Sequence, residues 1–349
     1  MILEGQPLYP EPIQAKGILF IGDPHISSNR PGRRKDASWP APILAKLERC
    51  VEVANERELV PVFAGDIFDE PIERNEALKT RIARLMKRFW MLPITNVGNH
   101  DISGSRLSDA DSLAYLAVCD GIDAVAVSGA VCVIDVDGRK VGLGMTPYGQ
   151  EIPRSVEGAF DGIAKGVDSV IWVTHHDIAF QENYPGAVKP FPIVGCDVVL
   201  NGHVHNLKTA ERVGKTTWRN LGNINRKSAD LIDQEPQAWA IAWDGAATGI
   251  ALPHDKDVFD MTGRLVQAAS APAVVKVEES VFVTLLHAES AGQMAQSADG
   301  SVLMEEIDAK CERDKTSPAV RAIVLALLRE ATGARAPQGE AEEAAGVDS

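Results

Sequence analysis

The sequence predicts an α/β fold with two β-sheets, and three features of the chain support this class. Five apolar runs of strand length occur in the first two thirds, at residues 17–21, 60–64, 92–97, 170–173 and 197–200. Segments with a helical spacing of apolar residues separate the first three runs, which predicts a largely parallel sheet covered by helices. Three pairs of short apolar runs, each joined by a turn with glycine, predict antiparallel hairpins.

The two predicted helices lie between the first three strands. Apolar residues recur at i, i+3 and i+4 spacing from Ile43 to Ala54, and again from Leu78 to Phe89. Between the first strand and the first helix, residues 26–42 are polar, basic and rich enough in proline to predict a loop over one edge of the sheet. Loops of this length usually carry function or are disordered.

The predicted hairpins cover residues 131–145, 208–220 and 238–252. We expect their strands to form a second sheet packed on the first. After about residue 255 the pattern changes to one strand-like segment (274–286) and two helix-like segments (302–311 and 318–331). The chain is therefore expected to contain a catalytic domain at 1–255, a small α+β cap at 256–331 and a disordered acidic tail at 332–349.

Composition narrows the class of protein. The 349 residues carry a net charge of −14, which argues against broad, nonspecific binding to nucleic acid but not against a nuclease with a few local basic residues. No run approaches the ~18 apolar residues of a membrane span, and the N-terminus lacks the features of a signal peptide. The five scattered cysteines are typical of reduced, buried thiols. We expect a cytoplasmic protein without membrane contact.

A short polar motif follows each of the five predicted strands. The motifs are Asp23-Pro24-His25, Gly65-Asp66-Ile67-Phe68-Asp69, Gly98-Asn99-His100-Asp101, Thr174-His175-His176-Asp177 and Gly202-His203-Val204-His205. Asp, Asn and His supply the oxygen and nitrogen ligands that Mn²⁺, Fe and Zn²⁺ favour. Strands that end at one edge of a sheet would bring these side chains together. The candidate metal ligands are Asp23, His25, Asp66, Asn99, His175, His203 and His205.

In order and spacing, these motifs resemble those of the calcineurin-like metallophosphoesterases over residues 18 to about 252. The resemblance implies a four-layer α-β-β-α sandwich, in which two packed mixed sheets are flanked by helices. Within that superfamily, residues 65–71, Gly98-Asn99-His100-Asp101 with Ser105-Arg106-Leu107, and Leu221-Gly222-Asn223 with Arg226 look like the SbcD-type DNA repair exonucleases. That branch also carries a small C-terminal cap.

The resemblance implies a role for each motif residue. Two divalent ions, Mn²⁺ in the first place with Fe or Zn as alternatives, would share Asp66 as a bridging ligand. One ion would also take Asp23, His25 and His205, and the other would also take Asn99, His175 and His203. A metal-bridging hydroxide would attack phosphorus in line, His100 would protonate or steady the leaving oxygen, and Asp101 would orient His100. Of the adjacent pair His175 and His176, we favour His175 as the ligand, with His176 beside it or facing substrate.

Five side chains are candidates for contact with substrate: Arg33, Arg34, Arg106, Arg226 and His176. The two loop arginines could meet a phosphate backbone or simply be solvated. The resemblance implies DNA as substrate, an SbcC-like coiled-coil ATPase as partner, and a homodimer. The alternatives are a phosphodiesterase or phosphatase for small nucleotides or phosphoproteins, and a non-enzymatic scaffold. We interpret Asp69 as a structural turn residue, and Trp39 and Trp218 as packing residues rather than base-stacking ones.

Overall fold

The computed structural model describes residues 2–3, 7–180 and 186–261, together with 307–308, 321 and 324–325. The chain divides into two compact units, Met1–Met261 with Ala291–Gln293, and Thr262–Ser290 with Met294–Ser349. In the second unit the Arg321 guanidinium donates to the Asp308 carboxylate at 2.6 and 2.7 Å. The expected cap and tail lie almost wholly outside the described residues and stay predictions.

The described residues form fourteen strands, three α-helices and two 3₁₀ turns. The strands are β1 (Ile2–Leu3), β2 (Ile13–Ala15), β3 (Ile18–Ile21), β4 (Val60–Phe63), β5 (Ile94–Asn96), β6 (Asp123–Val125), β7 (Gly129–Val136), β8 (Arg139–Thr146), β9 (Ser169–Thr174), β10 (Val198–Asn201), β11 (Glu211–Val213), β12 (Thr216–Asn220), β13 (Gln237–Ile241) and β14 (Ala247–Ala251). The helices are α1 (Ala41–Arg57), α2 (Glu76–Met86) and α3 (Ser112–Val118), and the 3₁₀ turns are Asn99–Asp101 and Ala229–Leu231.

The strands form two mixed seven-stranded sheets, which confirms the predicted class. The first sheet has the order β1-β6-β5-β4-β3-β13-β14, and its strands from β1 to β3 are parallel. The second has the order β11-β12-β10-β9-β8-β7-β2, with β8, β9, β10 and β12 parallel. Two of the predicted hairpins, β7–β8 and β11–β12, lie in the second sheet as expected.

The third hairpin, β13–β14, belongs to the first sheet, so its expected place in the second sheet is wrong. β4 occupies one side of β3, and β13 pairs antiparallel with the other side, with Trp239 opposite Phe20. Hairpin turns identify two strands as neighbours but contain no information about which sheet the pair extends.

Alternation along the strands explains why their sequences are continuously apolar. In β3, Ile18 and Phe20 face the core between the sheets, where Val173 of β9 also lies, whereas Leu19 and Ile21 pack under the helices. Because side chains of a strand alternate between faces, burial on both faces demands apolar residues at every position. The predicted apolar stripes of α1 and α2 pack on Leu19 and Ile21 and complete the core between the first sheet and its helices.

The outer face of the second sheet is covered differently from the expected helical layer. Trp172, Val199 and Trp218 pack there against Phe160 and Ile193. In the described part of the covering segments, residues 150–168 and 186–196 form turns and isolated bridges rather than a helix. Among the described helices none is long and apolar enough to cross a bilayer.

Candidate metal centre

The polar motifs lie directly after strands of both sheets. Asp23, Asp66 and Asn99 follow β3, β4 and β5, which are adjacent parallel strands of the first sheet. His175 and His203 follow β9 and β10, which are adjacent and parallel in the second sheet. The expectation of a single sheet edge is therefore too simple, because the two sheets contribute facing edges to one site.

The first group of ligand-type side chains consists of Asp23, His25 and His205. One ligand atom from each lies within 4.8 Å of the others, and all three residues are buried. The Nε2 atoms of His25 and His205 face each other at 2.9 Å. The Asp66 Oδ2 atom lies 3.5 Å from the same His25 nitrogen, so Asp66 adjoins this group.

The second group consists of Asp66, His175 and His203, again buried and within 4.8 Å. Asp66 Oδ2 lies 3.1 Å from His175 Nε2. Asn99 Oδ1 lies 3.2 Å from His175 Nε2 and 2.9 Å from His203 Nδ1. Asp66 thus contacts both groups, and the sequence-predicted ligands all converge on one region.

The hydrogen bonds on the far sides of the imidazoles decide which ring nitrogens carry hydrogen. His175 Nδ1 lies 3.0 Å from the carbonyl of Ala64, and His203 Nε2 lies 3.0 Å from Asp177 Oδ1. Both partners only accept, so these outer nitrogens donate. In the neutral rings, the inner nitrogens therefore present lone pairs to Asn99 Oδ1 and Asp66 Oδ2, which are acceptors too.

Such a convergence of lone pairs needs positive charge at its centre. Asp23 Oδ1 is buried with no hydrogen-bond donor among the described residues, and the buried Asp66 Oδ2 faces the His175 and His25 nitrogens at 3.1 and 3.5 Å. Burial alone would lower the pKa of His175, but Asp66 and Asp23 raise it to about 10, so a proton can supply part of this charge. Burial raises the pKa of Asp23, whereas the neighbouring histidines, His175 first, hold the pKa of Asp66 well below its usual range. The donor set fits divalent cations.

The backbone at three of these residues adopts the left-handed region. His25, Asp66 and His203 have φ values of 45°, 50° and 71°. Each amide is fixed by a hydrogen bond: His25 N donates to the carbonyl of Asp66 at 2.9 Å, and His203 N donates to Asp23 Oδ2 at 2.7 Å. Asp66 N donates to Asp101 Oδ2 at 2.7 Å. Strain of about 1–3 kcal/mol per residue is typical of functional sites.

Two glycines allow the loops to approach closely. A Cβ atom at Gly98 would lie 2.1 Å from Asp66 Oδ1, and one at Gly202 would lie 2.8 Å from both Asp23 Oδ1 and His175 Nδ1. Any larger residue would displace a ligand-type side chain. The lack of a side chain at these two glycines therefore allows the loops to come into contact, in addition to permitting tight turns.

His100 is oriented by Asp69, not by Asp101 as expected. Its Nδ1 lies 2.5 Å from the Asp69 carbonyl oxygen, and its Nε2 is buried with no hydrogen-bond partner among the residues that the structure describes. The Asp101 carboxylate instead accepts from the backbone amides of Asp66, Ile67 and Gly98, at 2.7–2.9 Å. Asp101 therefore joins the loop that begins at Asp66 to the loop that contains Gly98. Burial lowers the pKa of His100 to about 3.

The two adjacent histidines after β9 occupy different surroundings. His175 belongs to the second group, whereas His176 Nε2 lies 2.8 Å from the carbonyl of Gln150. The ring of Tyr148 lies beside both, with centroids 6.4 and 6.3 Å away. His176 is half-buried and lies beside Tyr148.

Two of the basic residues expected to contact substrate are not at the surface. Arg34 is only 3% exposed, pairs with the Asp36 carboxylate at 2.7 and 3.0 Å, and donates to the carbonyl of Arg226 at 2.8 Å. Arg226 is also buried. Arg33 is half-buried and donates to the carbonyl of Asp260 at 2.9 Å, while Arg106 is exposed. The loop charge is thus partly internal, which corrects the interpretation of Arg34.

Three charged residues near the site were not assigned a role there from the sequence. Asp177 contacts His203, and Asp69 Oδ1 lies 3.3 Å from His25 Nδ1. Lys227 Nζ lies 2.5 Å from the same Asp69 oxygen. The position of Asp177, directly after the His175-His176 pair, was an available signal, whereas Lys227 lies far from any motif residue it meets.

Comparison with protein-family models identifies the family of the chain. Residues 17–207 match the model of the calcineurin-like phosphoesterase family, more than half of the chain. No curated protein sequence matches significantly. A solved structure, the 5'-nucleotidase precursor from Thermus thermophilus, is similar with a TM-score of 0.38 and 15% identity, over 67% of this chain and 54% of that one. The chain belongs to the calcineurin-like phosphoesterase family.

Proposed function

We propose that the chain is a two-metal phosphodiesterase. One divalent ion would be held by Asp23, His25, Asp66 and His205. A second ion would be held by Asp66 together with Asn99, His175 and His203. The observation that carries the proposal is the convergence of buried acceptor atoms, in which Asp66 Oδ2 lies 3.1 Å from His175 Nε2 and 3.5 Å from His25 Nε2.

The chain's own side chains define what such a site can do. When bound, two divalent ions activate water and offset the negative charge that develops on a phosphoryl group. Asp66 would hold the two ligand groups at a fixed separation because it contacts both. The His100 ring lies 4.8 Å from that of His25, its buried Nε2 has no partner in the described part of the chain, and it would contact the leaving oxygen. The Lys227 ammonium lies 2.5 Å from Asp69 Oδ1, an oxygen that also lies 3.3 Å from His25 Nδ1, and so places a cation on the His25 side of the site.

The finer proposal is a Mn²⁺-dependent DNA exonuclease or endonuclease of the SbcD type. The sequence surroundings of Gly65-Asp66 and of Asn99-His100 support it, and so does the short motif from Leu221 to Asn223. An SbcC-like ATPase partner and a homodimer are part of this proposal. Arg33, Arg106 and Lys227 are the described basic residues that would meet a phosphate backbone.

A second candidate is a phosphodiesterase or phosphatase for small nucleotides or phosphoproteins. The burial of Arg34 and Arg226 favours it, because these guanidinium groups are engaged within the protein. The net charge of −14 also favours a substrate with few phosphates, since long nucleic acids gain affinity from basic surfaces.

The decisive experiment compares substrates with metals supplied one at a time. The purified full chain, loaded with Mn²⁺, Fe²⁺ or Zn²⁺, is assayed on bis(p-nitrophenyl) phosphate, then on linear duplex and single-stranded DNA, cyclic nucleotides and mononucleotides. Asp66→Asn should lower turnover at least ~100-fold, whereas the matched surface change Asp161→Asn should not. Equal activity of Asp66→Asn and wild type would refute the two-metal proposal. Turnover of nucleotides without DNA cleavage would select the second candidate.

A further inference from the structure

The His203 imidazole has a hydrogen-bond partner on each side. Its Nδ1 lies 2.9 Å from Asn99 Oδ1, on the side of the second ligand group. Its Nε2 lies 3.0 Å from Asp177 Oδ1, on the opposite side of the ring. Asp177 therefore stands behind His203 as seen from the ligand atoms, and its hydrogen bond to that group is made through the His203 imidazole.

The chemistry of these partners selects one tautomer. A carboxylate can only accept, so the Asp177 contact holds hydrogen on Nε2 of His203 and leaves the lone pair on Nδ1. A histidine that ligates a metal commonly donates its other N–H to a carboxylate or carbonyl, which fixes the ring and raises its basicity. A carboxylate does this more strongly than the neutral Ala64 carbonyl behind His175.

The corresponding carboxylate behind His25 is in a different electrostatic setting. Asp69 Oδ1 lies 3.3 Å from His25 Nδ1 but also 2.5 Å from the Lys227 ammonium, which offsets its charge. The 3.0 Å contact of Asp177 with His203 is the shorter of the two carboxylate–imidazole contacts. Asp177 is thus the better placed carboxylate for tuning a ligand histidine.

The backbone that carries Asp177 is fixed by several hydrogen bonds. Val188 N donates to the carbonyl of Asp177 at 2.8 Å. The buried Asn201 accepts from His176 N at 3.1 Å and donates to the carbonyl of His176 at 3.0 Å. Asn201 ends β10, next to the loop that bears His203, so the two loops are joined. The segments that carry the carboxylate and the imidazole are therefore joined by hydrogen bonds through Asn201.

We propose that Asp177 is a positioning residue for His203, which holds the ring in the Nε2–H tautomer and directs Nδ1 towards the second metal position. The inference rests on the proposed two-metal function. It assigns to Asp177 a specific effect on one of the two ions, namely the ion shared by Asp66, Asn99, His175 and His203. The other ion, on the side of His25, is expected to be unaffected.

The test uses Mn²⁺ alone as the probe of binding. The metal-free full chain is titrated with Mn²⁺, and free Mn²⁺ is followed by electron paramagnetic resonance. Wild type should bind two ions. Asp177→Asn and Asp177→Ala should weaken one of them about 10–100-fold and leave the other within about twofold. Asp177→Glu, which keeps a carboxylate, should recover part of the loss, and Asp161→Asn, with the same loss of charge at the surface, should match wild type.

Two further measurements separate positioning from a general effect on the fold. In the Zn²⁺-loaded protein, ¹⁵N spectra of the histidine rings should show hydrogen on Nε2 of His203, and Asp177→Ala should broaden or change this signal. Phosphodiester turnover by Asp177→Asn should return towards that of wild type as Mn²⁺ is raised to saturate the weakened site.

The outcomes distinguish this inference from the proposed function. If wild type binds no Mn²⁺, the two-metal function itself fails. If wild type binds two ions and the Asp177 variants bind them equally well, the positioning role fails while the function stands. Equal weakening of both ions would also overturn the inference, because it would assign Asp177 to the loop as a whole.

Discussion

Lys46 is a buried amine whose removal should stabilise the protein. It lies on the inner face of α1, is 2% exposed, and donates from Nζ to the carbonyl of Ile224 at 2.8 Å. Burial, together with the nearby guanidinium groups of Arg34 and Arg226, lowers its pKa from 10.5 to about 7. The protein thus buries an amine that is charged in the unfolded chain at neutral pH.

The pKa difference sets both the size and the sign of the effect. The fall of the pKa from 10.5 to about 7 corresponds to roughly 5 kcal/mol, at about 1.4 kcal/mol per pKa unit. Between these two pH values the unfolded chain binds more protons than the folded protein at this position. Stability therefore rises with pH across that window, and the full penalty is present below about pH 7.

Lys46→Met keeps the apolar stem and removes the titrating group. It also leaves the Ile224 carbonyl without its donor, at a cost of about 1–3 kcal/mol. We therefore expect a net gain of about 2–4 kcal/mol in the free energy of unfolding at pH 7. Urea unfolding of the metal-free full chain at pH 7, 8 and 9 should show this gain shrinking by about 1.4 kcal/mol per pH unit.

The difference in the free energy of unfolding between wild type and variant at the same pH isolates the effect of the Lys46 amine from that of other titrating groups. His175 and the cysteines are common to wild type and variant, so only the difference between the two curves reports Lys46. Lys87→Met, at the exposed lysine that follows α2, should give a difference near zero at every pH. A Lys46→Met protein that is less stable at all three pH values, or whose difference does not change with pH, would refute this reasoning.

Three further predictions follow from contacts in and near the site. Gly98→Ala should weaken Mn²⁺ binding at least ~10-fold in a titration, because its Cβ would lie 2.1 Å from Asp66 Oδ1, whereas Gly104→Ala, whose Cβ meets nothing within 4 Å, should bind as wild type. Arg34→Ala should lower the free energy of unfolding by about 3 kcal/mol in urea, since it leaves Asp36 unpaired, and Arg106→Ala should leave it unchanged. Removal of Mn²⁺ by a chelator, from about 100 times its Kd, should lower the stability by about 2.7 kcal/mol for each ion bound, seen as a lower Tm; an unchanged Tm would contradict specific binding.

Local patterns in the sequence were sufficient to predict many of the described strands and helices. The run at 60–64 predicted β4 (Val60–Phe63) because both faces of that strand are buried, which leaves an unbroken apolar signal. The helical stripe beginning at Ile43 predicted α1 for a similar reason, since one face packs on the first sheet. The ligand-type residues were found because each follows its strand within a few positions.

The errors concern relations between distant parts of the chain. A run of basic residues does not reveal that Arg34 is enclosed between Asp36 and the Arg226 carbonyl, because those partners meet only in the folded protein. Asp101, the sequence neighbour of His100, was predicted to be its hydrogen-bond partner. The partner in the structure is instead the backbone carbonyl of Asp69. The role of Asp177 depends on an imidazole 26 positions away.

The origin of the ligand-type residues in two different sheets has a mechanical consequence. Asp66 is carried by the sheet that contains β4, whereas His175 and His203 are carried by the sheet that contains β9 and β10. The separation between these contributions is set by the thickness of the apolar layer between the sheets, which is filled by side chains such as Val62 and Leu200. A change of volume there would shift one half of the pocket against the other. Apolar residues that do not coordinate a cation would in this way affect the metal affinity of the site.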